Sequence, residues 1–354
     1  MDRKYYLDIA NSGAVFPIGT DLVVHEKANP ETVMMDGVLL GKAIEEAAFR
    51  YKSPMAIPLM DLKIEKQFLL EILGIERSKV DSYHFEGRPG GDLISKVKNG
   101  ISKASTPRME ATCKAIKYIA ENTKLLPVGM CIGPFSFMTK LMADPITAVY
   151  MYGMGISPED DESVGAVNDC LDLALIILQE YLGRQISAGA KAIMMCEPAA
   201  NKIYISPKQI EEGSDIFEKT VMKNLRKIKE FLDSKGVDLM LHDCGELTNE
   251  MVCSFGTLNP AVLSLGSSRT LWEDAKLLPK DVILYGNLPS KHFYSDEKIT
   301  EEQVKILSAE LIKKMKKAGH PFILGSECDV LNVPEFSGKI RAKVNAFMSC
   351  SCCK

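Results

Sequence analysis

The chain has 354 residues, of which 46% are hydrophobic, 25% charged and 7% aromatic, and these proportions exclude a disordered, collagen-like or low-complexity protein. Forty-three Lys and Arg stand against 47 Asp and Glu, a formal charge of -4, which argues against nucleic acid or an anionic membrane as the main partner. The length suits one large α/β domain or two smaller ones, with a core that needs no disulfide staples.

The first 11 residues (MDRKYYLDIAN) show neither the apolar core nor the small-residue cleavage site of a secretory leader, and no apolar run approaches the ~20 residues of a membrane span. A cytoplasmic protein is expected. In a reducing compartment the ten cysteines read as buried fillers, metal ligands or reactive thiols. Residues 1–50 read as an extension packing on the main domain, with Pro30-Glu31 opening a helix ahead of the first strand.

From residue 55 short apolar runs alternate with amphipathic stretches. The runs are 55–62 (MAIPLMDL), the weaker 82–86, 126–132 (LPVGMCI), 192–196 (AIMMC), 237–242 (VDLMLH), 261–265 (AVLSL), 282–285 (VILY) and 321–324 (PFIL). Helices fill the gaps. Over 215–235, Phe217, Val221, Leu225, Ile228 and Leu232 share a face, with Gly236 as a C-terminal cap; 301–317 repeats the pattern before Gly319, and 164–182 is apolar enough to pack on two sides. Eight buried strands alternating with helices predict a (β/α)8 barrel over 51–349; a doubly wound open sheet is the alternative. Residues 350–354 form a tail whose Cys350, Cys352 and Cys353 are an accessory metal or redox site or, alternatively, a frayed terminus.

Barrel enzymes work at the C-terminal ends of their strands. Those positions hold Asp61, Glu86, Gly133, Glu197, His242 with Cys244, Asn287 and Cys328. In His242-Asp243-Cys244-Gly245, residues two apart point the same way along an extended segment, so His242 and Cys244 can grip one metal ion, and Gly245 permits a sharp turn into the next helix. Cys328, at the end of the last strand, faces them across the mouth. An N,S,S set suits zinc, and three protein ligands with one open position make a catalytic arrangement. Inert core cysteines are the competing reading, and Cys196 and Cys253 are substitute ligands. His25, His84, His292 and His320 lack partners at ligand spacing.

Three segments resemble the uroporphyrinogen decarboxylase superfamily and its cobalamin-dependent methyltransferase branch: Pro58-Leu59-Met60-Asp61-Leu62, Gly133-Pro134-Phe135, and His242-x-Cys244-Gly245 with distal Cys328. The resemblance runs from about Met55 to Asp329. It implies a (β/α)8 barrel and a zinc ion on His242, Cys244 and Cys328. The implied reaction carries a methyl group from a methylated corrinoid to an acceptor such as coenzyme M or tetrahydrofolate. No D-x-H-x-x-G corrinoid signature occurs, so methylcobalamin or another corrinoid is expected on a partner protein. The Arg-Gln-Ala-Gly-Arg-like stretch of the decarboxylases is missing, and Arg88 and Arg108 stand in no such context. Decarboxylation remains the alternative activity, and a non-catalytic corrinoid-protein-binding barrel a second.

Further roles attach to strand-end positions. Glu197 either backs the metal ligands or fills the fourth position; its competing role is an acid at a helix N-terminus. Asp61 contacts acceptor or corrinoid, or caps a helix. Asn287 and Gly133 are the substrate-binding candidates.

Overall fold

The computed structural model describes residues 2–350, so Cys352 and Cys353 of the tail lie outside the described residues. Among the described residues there are seven strands: β1 (Met55–Ala56), β2 (Leu126–Ile132), β3 (Ala192–Cys196), β4 (Asp238–Asp243), β5 (Val262–Leu265), β6 (Ile283–Leu288) and β7 (Phe322–Ser326). Every neighbouring pair is parallel and the order in space follows the order in the chain. A doubly wound sheet would reverse its order at a switch point. This one does not, and it curls into an incomplete barrel with helices outside. Every residue of β2, β3, β5 and β6 is buried, which is why these strands read as continuous apolar runs.

The strand count differs from the expected eight. Residues 82–86 form no strand; Phe85 makes a single bridge to Met142, its N–H donating to Leu141 O at 2.9 Å. Ser-Tyr-His-Phe-Glu contributes nothing to the sheet, since Met142 lies outside the strands, and its polar residues do not suit a strand buried on both faces. The first strand is also much shorter than 55–62, because Pro58 has no N–H to continue the ladder and the chain leaves the sheet there.

The place between β7 and β1 is taken by the N-terminal segment. Val15 and Ile18 form parallel bridges to Leu324 and Asp329. Phe16 N–H donates to Leu324 O (3.1 Å) and Val330 N–H to Ile18 O (2.8 Å). Ser326 Oγ accepts from Ile18 N–H at 3.1 Å, and the Tyr285 hydroxyl donates to Phe16 O at 2.9 Å. On the other side the Thr20 hydroxyl donates to Ile57 O, just past β1, at 2.5 Å. Residues 15–20 thus tie the last strand to the first.

The helices follow their local signals. Glu162–Ser187 is capped by Asp161, whose carboxylate accepts from Ser163 and Val164 N–H, and Glu301–Ala318 opens on a Thr300–Gln303 capping box and closes on Gly319 at φ 59°. The helix expected over 215–235 is interrupted by a π-turn at Glu218–Met222 before Lys223–Ser234. There the Thr220 hydroxyl donates back to Ile216 O at 2.6 Å, a bond that loosens helical turns. No helix of the described residues is long and apolar enough to cross a membrane.

The Tyr285 hydroxyl is buried and bridges the closing segment to β6. Tyr285→Phe leaves a buried carbonyl short of a donor, and a loss of about 1–2 kcal/mol in unfolding free energy by urea titration is expected, with little change in volume. An unchanged midpoint would show that the segment is held by other contacts.

Candidate metal centre

β4 ends in His242 and Asp243, and Cys244 follows directly. Its register sets His242 opposite Ser264 of β5, and His242 Nδ1 lies 2.9 Å from the Ser264 hydroxyl. The imidazole is fully buried, and its other nitrogen, Nε2, has no hydrogen-bond partner. A buried, unpartnered ring nitrogen is uncommon, because its desolvation goes uncompensated. The curl of the sheet brings Cys328, two residues past β7, to the same place. One ligand atom from each of His242, Cys244 and Cys328 lies within 4.8 Å of the other two.

The three donors fit zinc. Nitrogen and sulfur are its preferred ligands, and with Nδ1 engaged by Ser264 the nitrogen left to coordinate is Nε2. The two thiols are coupled. A hydrogen bond from Cys328 holds the Cys244 thiol well below its ordinary value; burial opposes this, and His242 and Lys291 support it. The same bond, with burial, drives Cys328 upward. One sulfur therefore already carries much of the negative charge a cation would meet.

A model of the uroporphyrinogen decarboxylase (URO-D) family matches residues 93–342, well over half of the chain. The chain belongs to the uroporphyrinogen decarboxylase family. Among its relatives is a methylcobamide:CoM methyltransferase, MtbA, of Methanosarcina mazei, 28% identical over 158 residues. That match covers 44% of this chain and 41% of the relative, so the aligned stretch spans less than half of either protein. The match supports the methyltransferase branch that the His-x-Cys and distal Cys motif resembles. A solved structure, a methyltransferase from Methanosarcina mazei, superposes with a TM-score of 0.64 at 17% identity, covering 98% of both chains, and this likeness shows the shared fold.

The remaining strand-end candidates do not join the three donors. Glu197 begins the loop after β3, its N–H donating to His242 O at 2.8 Å. Its carboxylate turns away, accepting from Phe135 N–H (2.9 Å), Ser136 N–H (2.8 Å) and the Ser136 hydroxyl (2.7 Å). It is thus an anchor for the helix Pro134–Thr139, and the three-donor cluster does not include it. Burial raises its pKa to about 7 against the pull of those bonds. Gly133 makes the contact possible, since a Cβ there would lie 2.1 Å from the Glu197 carboxyl carbon.

Asp61 accepts from Arg108 Nε at 2.9 Å, an ion pair whose arginine is almost fully buried. Asn287 donates through Nδ2 to Gly266 O and Arg269 O, both at 2.8 Å, clamping the loop after β5. Gly245 is not at a positive φ; a side chain there would meet Asn201 Cβ at 2.7 Å, so close approach of two loops requires the glycine. Cys196 is fully buried and Cys253 is exposed, and neither joins the cluster. Glu86, expected at a strand end, follows no strand.

Several residues that matter here carried no signal in the sequence. Ser264 orients the imidazole. Gly266 lets the β5 loop pack on Cys244, whose carbonyl oxygen would be 2.7 Å from a Cβ. Lys291 Nζ reaches Cys244 O at 3.4 Å. Glu327, beside Cys328, accepts from Ser267 N–H (3.1 Å) and Lys291 N–H (3.2 Å). Asp329, on the other side, accepts from Met60 N–H at 2.7 Å, and Met60 Sδ lies 3.9 Å from Cys328 Sγ. No pattern short of the fold joins residues 60, 264, 291 and 327.

Gly133→Ala must displace the Glu197 carboxyl. A loss of about 1–3 kcal/mol in unfolding free energy is expected, of the size of an overpacked core, and a wild-type value would show that the loop yields freely. Glu65 gives a pH test. Its carboxyl is buried, accepts from Ile132 N–H at 3.0 Å and leaves Oε2 unpartnered; burial raises its pKa from 4.5 to about 8. A raised folded pKa gives stability that is present below pH 4.5 and lost as pH climbs to about 8. The Glu65→Gln variant lacks that loss, so its stability relative to wild type should improve by roughly 1–3 kcal/mol between acid and pH 8.5 in urea titrations. A constant difference would count against the burial effect.

Proposed function

We propose that this chain is a zinc-dependent methyltransferase that carries a methyl group from a methylated corrinoid, borne on a partner protein, to a small acceptor. That acceptor is a thiol of the coenzyme M kind or else a tetrahydrofolate. The observation that carries the reading is the convergence of His242, Cys244 and Cys328 within 4.8 Å around an orphaned, buried imidazole nitrogen. The relative named as a methylcobamide:CoM methyltransferase supports it. On this reading residues 51–349 are the catalytic barrel, 1–50 supply an extension with the closing segment, and 350–354 are a tail.

The chain's residues divide the work. His242 offers Nε2, and Ser264, by accepting from Nδ1–H, would favour the tautomer in which Nε2 is unprotonated. Cys244 and Cys328 enter as thiolates, releasing the proton they share. Lys291 offsets their combined charge from the open side. Glu197 and Gly133 fix the floor formed by the helix Pro134–Thr139, Asn287 fixes the β5 loop, and Asp61 with Arg108 shapes the wall after β1. When bound, zinc would supply an electrophilic centre in whose fourth position a thiol acceptor is held deprotonated at neutral pH. A tetrahydrofolate acceptor would instead need orientation and a proton donor.

Purified protein should hold about one zinc per chain, as a three-ligand site requires. His242→Ala and Cys328→Ala should lose the metal, and Ser264→Ala should weaken it by roughly 10–100-fold. Mixed with methylcobalamin and candidate thiols or tetrahydrofolate, the wild type should convert the corrinoid spectrum and the metal-free variants should not. A metal-free protein that decarboxylates uroporphyrinogen would overturn this reading.

A further inference from the structure

Lys66 is out of keeping with its surroundings. It lies in the helix Ile64–Leu73, which follows β1 at the C-terminal end of the barrel, and is only 3% exposed. Yet among the described residues its ammonium has no hydrogen-bond or ion-pair partner. Its aliphatic stem is packed away while the ammonium head still reaches solvent, so the charge is only partly desolvated and is open to a ligand. Burial, with repulsion from Lys140, lowers its pKa to about 8, so it still carries its proton at neutral pH.

Two further cations share the neighbourhood. Lys140, just past the helix Pro134–Thr139, is half-buried and donates to Leu62 O at 3.0 Å. Lys63 donates to the exposed Asp81 at 2.8 Å. The Asp81 carboxyl is held below its usual value by Lys63 first, then by Lys140 and Lys66. An aspartate from a surface loop thus stands among three lysines while bonding only one. The other acids nearby are committed: Asp61 to Arg108, and Glu65, which burial keeps largely neutral, to Ile132 N–H.

We propose that Lys66, Lys140 and Lys63 form an anion-binding site at the rim of the barrel, which takes a polycarboxylate or phosphate group, with Asp81 as its internal substitute. A short stretch of chain links the lysines to the three-donor cluster. Met60, whose sulfur touches Cys328, lies three residues before Lys63, a reach of at most about 11 Å between their Cα atoms. A ligand anchored by its anionic end on the lysines can therefore present its other end to the His242 corner. That this ligand is the methyl acceptor or the corrinoid rests on the proposed function; the anion site itself does not.

Calorimetric titration of the full chain at low ionic strength, with tricarballylate and with inorganic pyrophosphate as probes, tests the site. At least one probe should bind the wild type. The Lys66→Met/Lys140→Met protein should bind it at least tenfold more weakly, and Asp81→Asn, which removes the internal competitor, should bind severalfold more tightly. Lys305→Ala on the distant helix Glu301–Ala318 should bind as wild type does. Binding of tricarballylate alone points to an acceptor with a carboxylate tail, and binding of pyrophosphate alone to the phosphodiester of a corrinoid. The Lys140→Met single variant, at a partly exposed position, carries the test should the double variant not fold. Unchanged affinity in the lysine variants, no binding of either probe to the wild type, or weaker binding in Asp81→Asn would overturn the proposal. His242→Ala should keep wild-type anion affinity even where it abolishes metal binding, which separates failure of this site from failure of the zinc reading; loss of anion binding there would place the probe at the metal corner instead.

Discussion

The ring of backbone hydrogen bonds has one gap, between β7 and β1, and the geometry of the centre depends on how residues 15–20 fill it. Cys328 lies beyond the end of β7, just after Glu327, whose N–H still donates to Leu288 O of β6 at 2.8 Å. On its other side it is held by the bridge from Ile18 to Asp329 and the bond from Val330 N–H to Ile18 O. Asp21 extends the same hold, accepting from Asn332 N–H at 2.6 Å. His242, by contrast, sits at the end of a fully paired central strand. The candidate site thus joins one donor pair at the end of a central strand to a third donor held between β6 and the N-terminal segment, and the segment is part of the site's architecture.

Carboxylates do most of the remaining positioning. Glu197 holds the helix after β2, Glu327 ties the loops after β5 and β6 to β7, and Asp329 holds the turn after β1. Each accepts backbone N–H groups that a loop would otherwise leave unpaired at the crowded end of a barrel. Burial pushes Glu197 to about 7 and Asp329 to about 8, so the same groups that order the loops resist carrying full charge beneath them.

The fold class was legible because buried parallel strands must be apolar on both faces, and the runs at 126–132 and 192–196 have no other economical explanation. The strand count was less so: 82–86 has the spacing of a strand without the apolar content, while residues 15–18 close the ring with a few bonds and no recognisable run. The convergence of the three donors was visible from the two-residue spacing of His242 and Cys244 and from the position of Cys328 after the last strand. Roles for Glu197, Asp61 and Asn287 were harder to read, because a strand end locates a side chain but not its direction. All three turn toward backbone or arginine partners that only the packed loops supply. Ser264 shows the limit most simply, since nothing local distinguishes it until the register places it against His242.

Met60 gives the two parts of the mouth a common mechanical element. Its N–H is bound to Asp329 and its sulfur rests on Cys328, while the residues that follow it lead directly into Asp61, Lys63 and the helix bearing Lys66. A shift of this turn cannot leave the sulfur corner unaffected, because the contact lies against one of the three donors. A ligand on the lysines and a ligand on the three donors would therefore meet at one turn, and any effect of the first on the affinity for the second would be returned in equal measure. The short turn after β1, cut off from the sheet by Pro58, is the element through which the chain can relate what arrives at the rim to what is held at the centre.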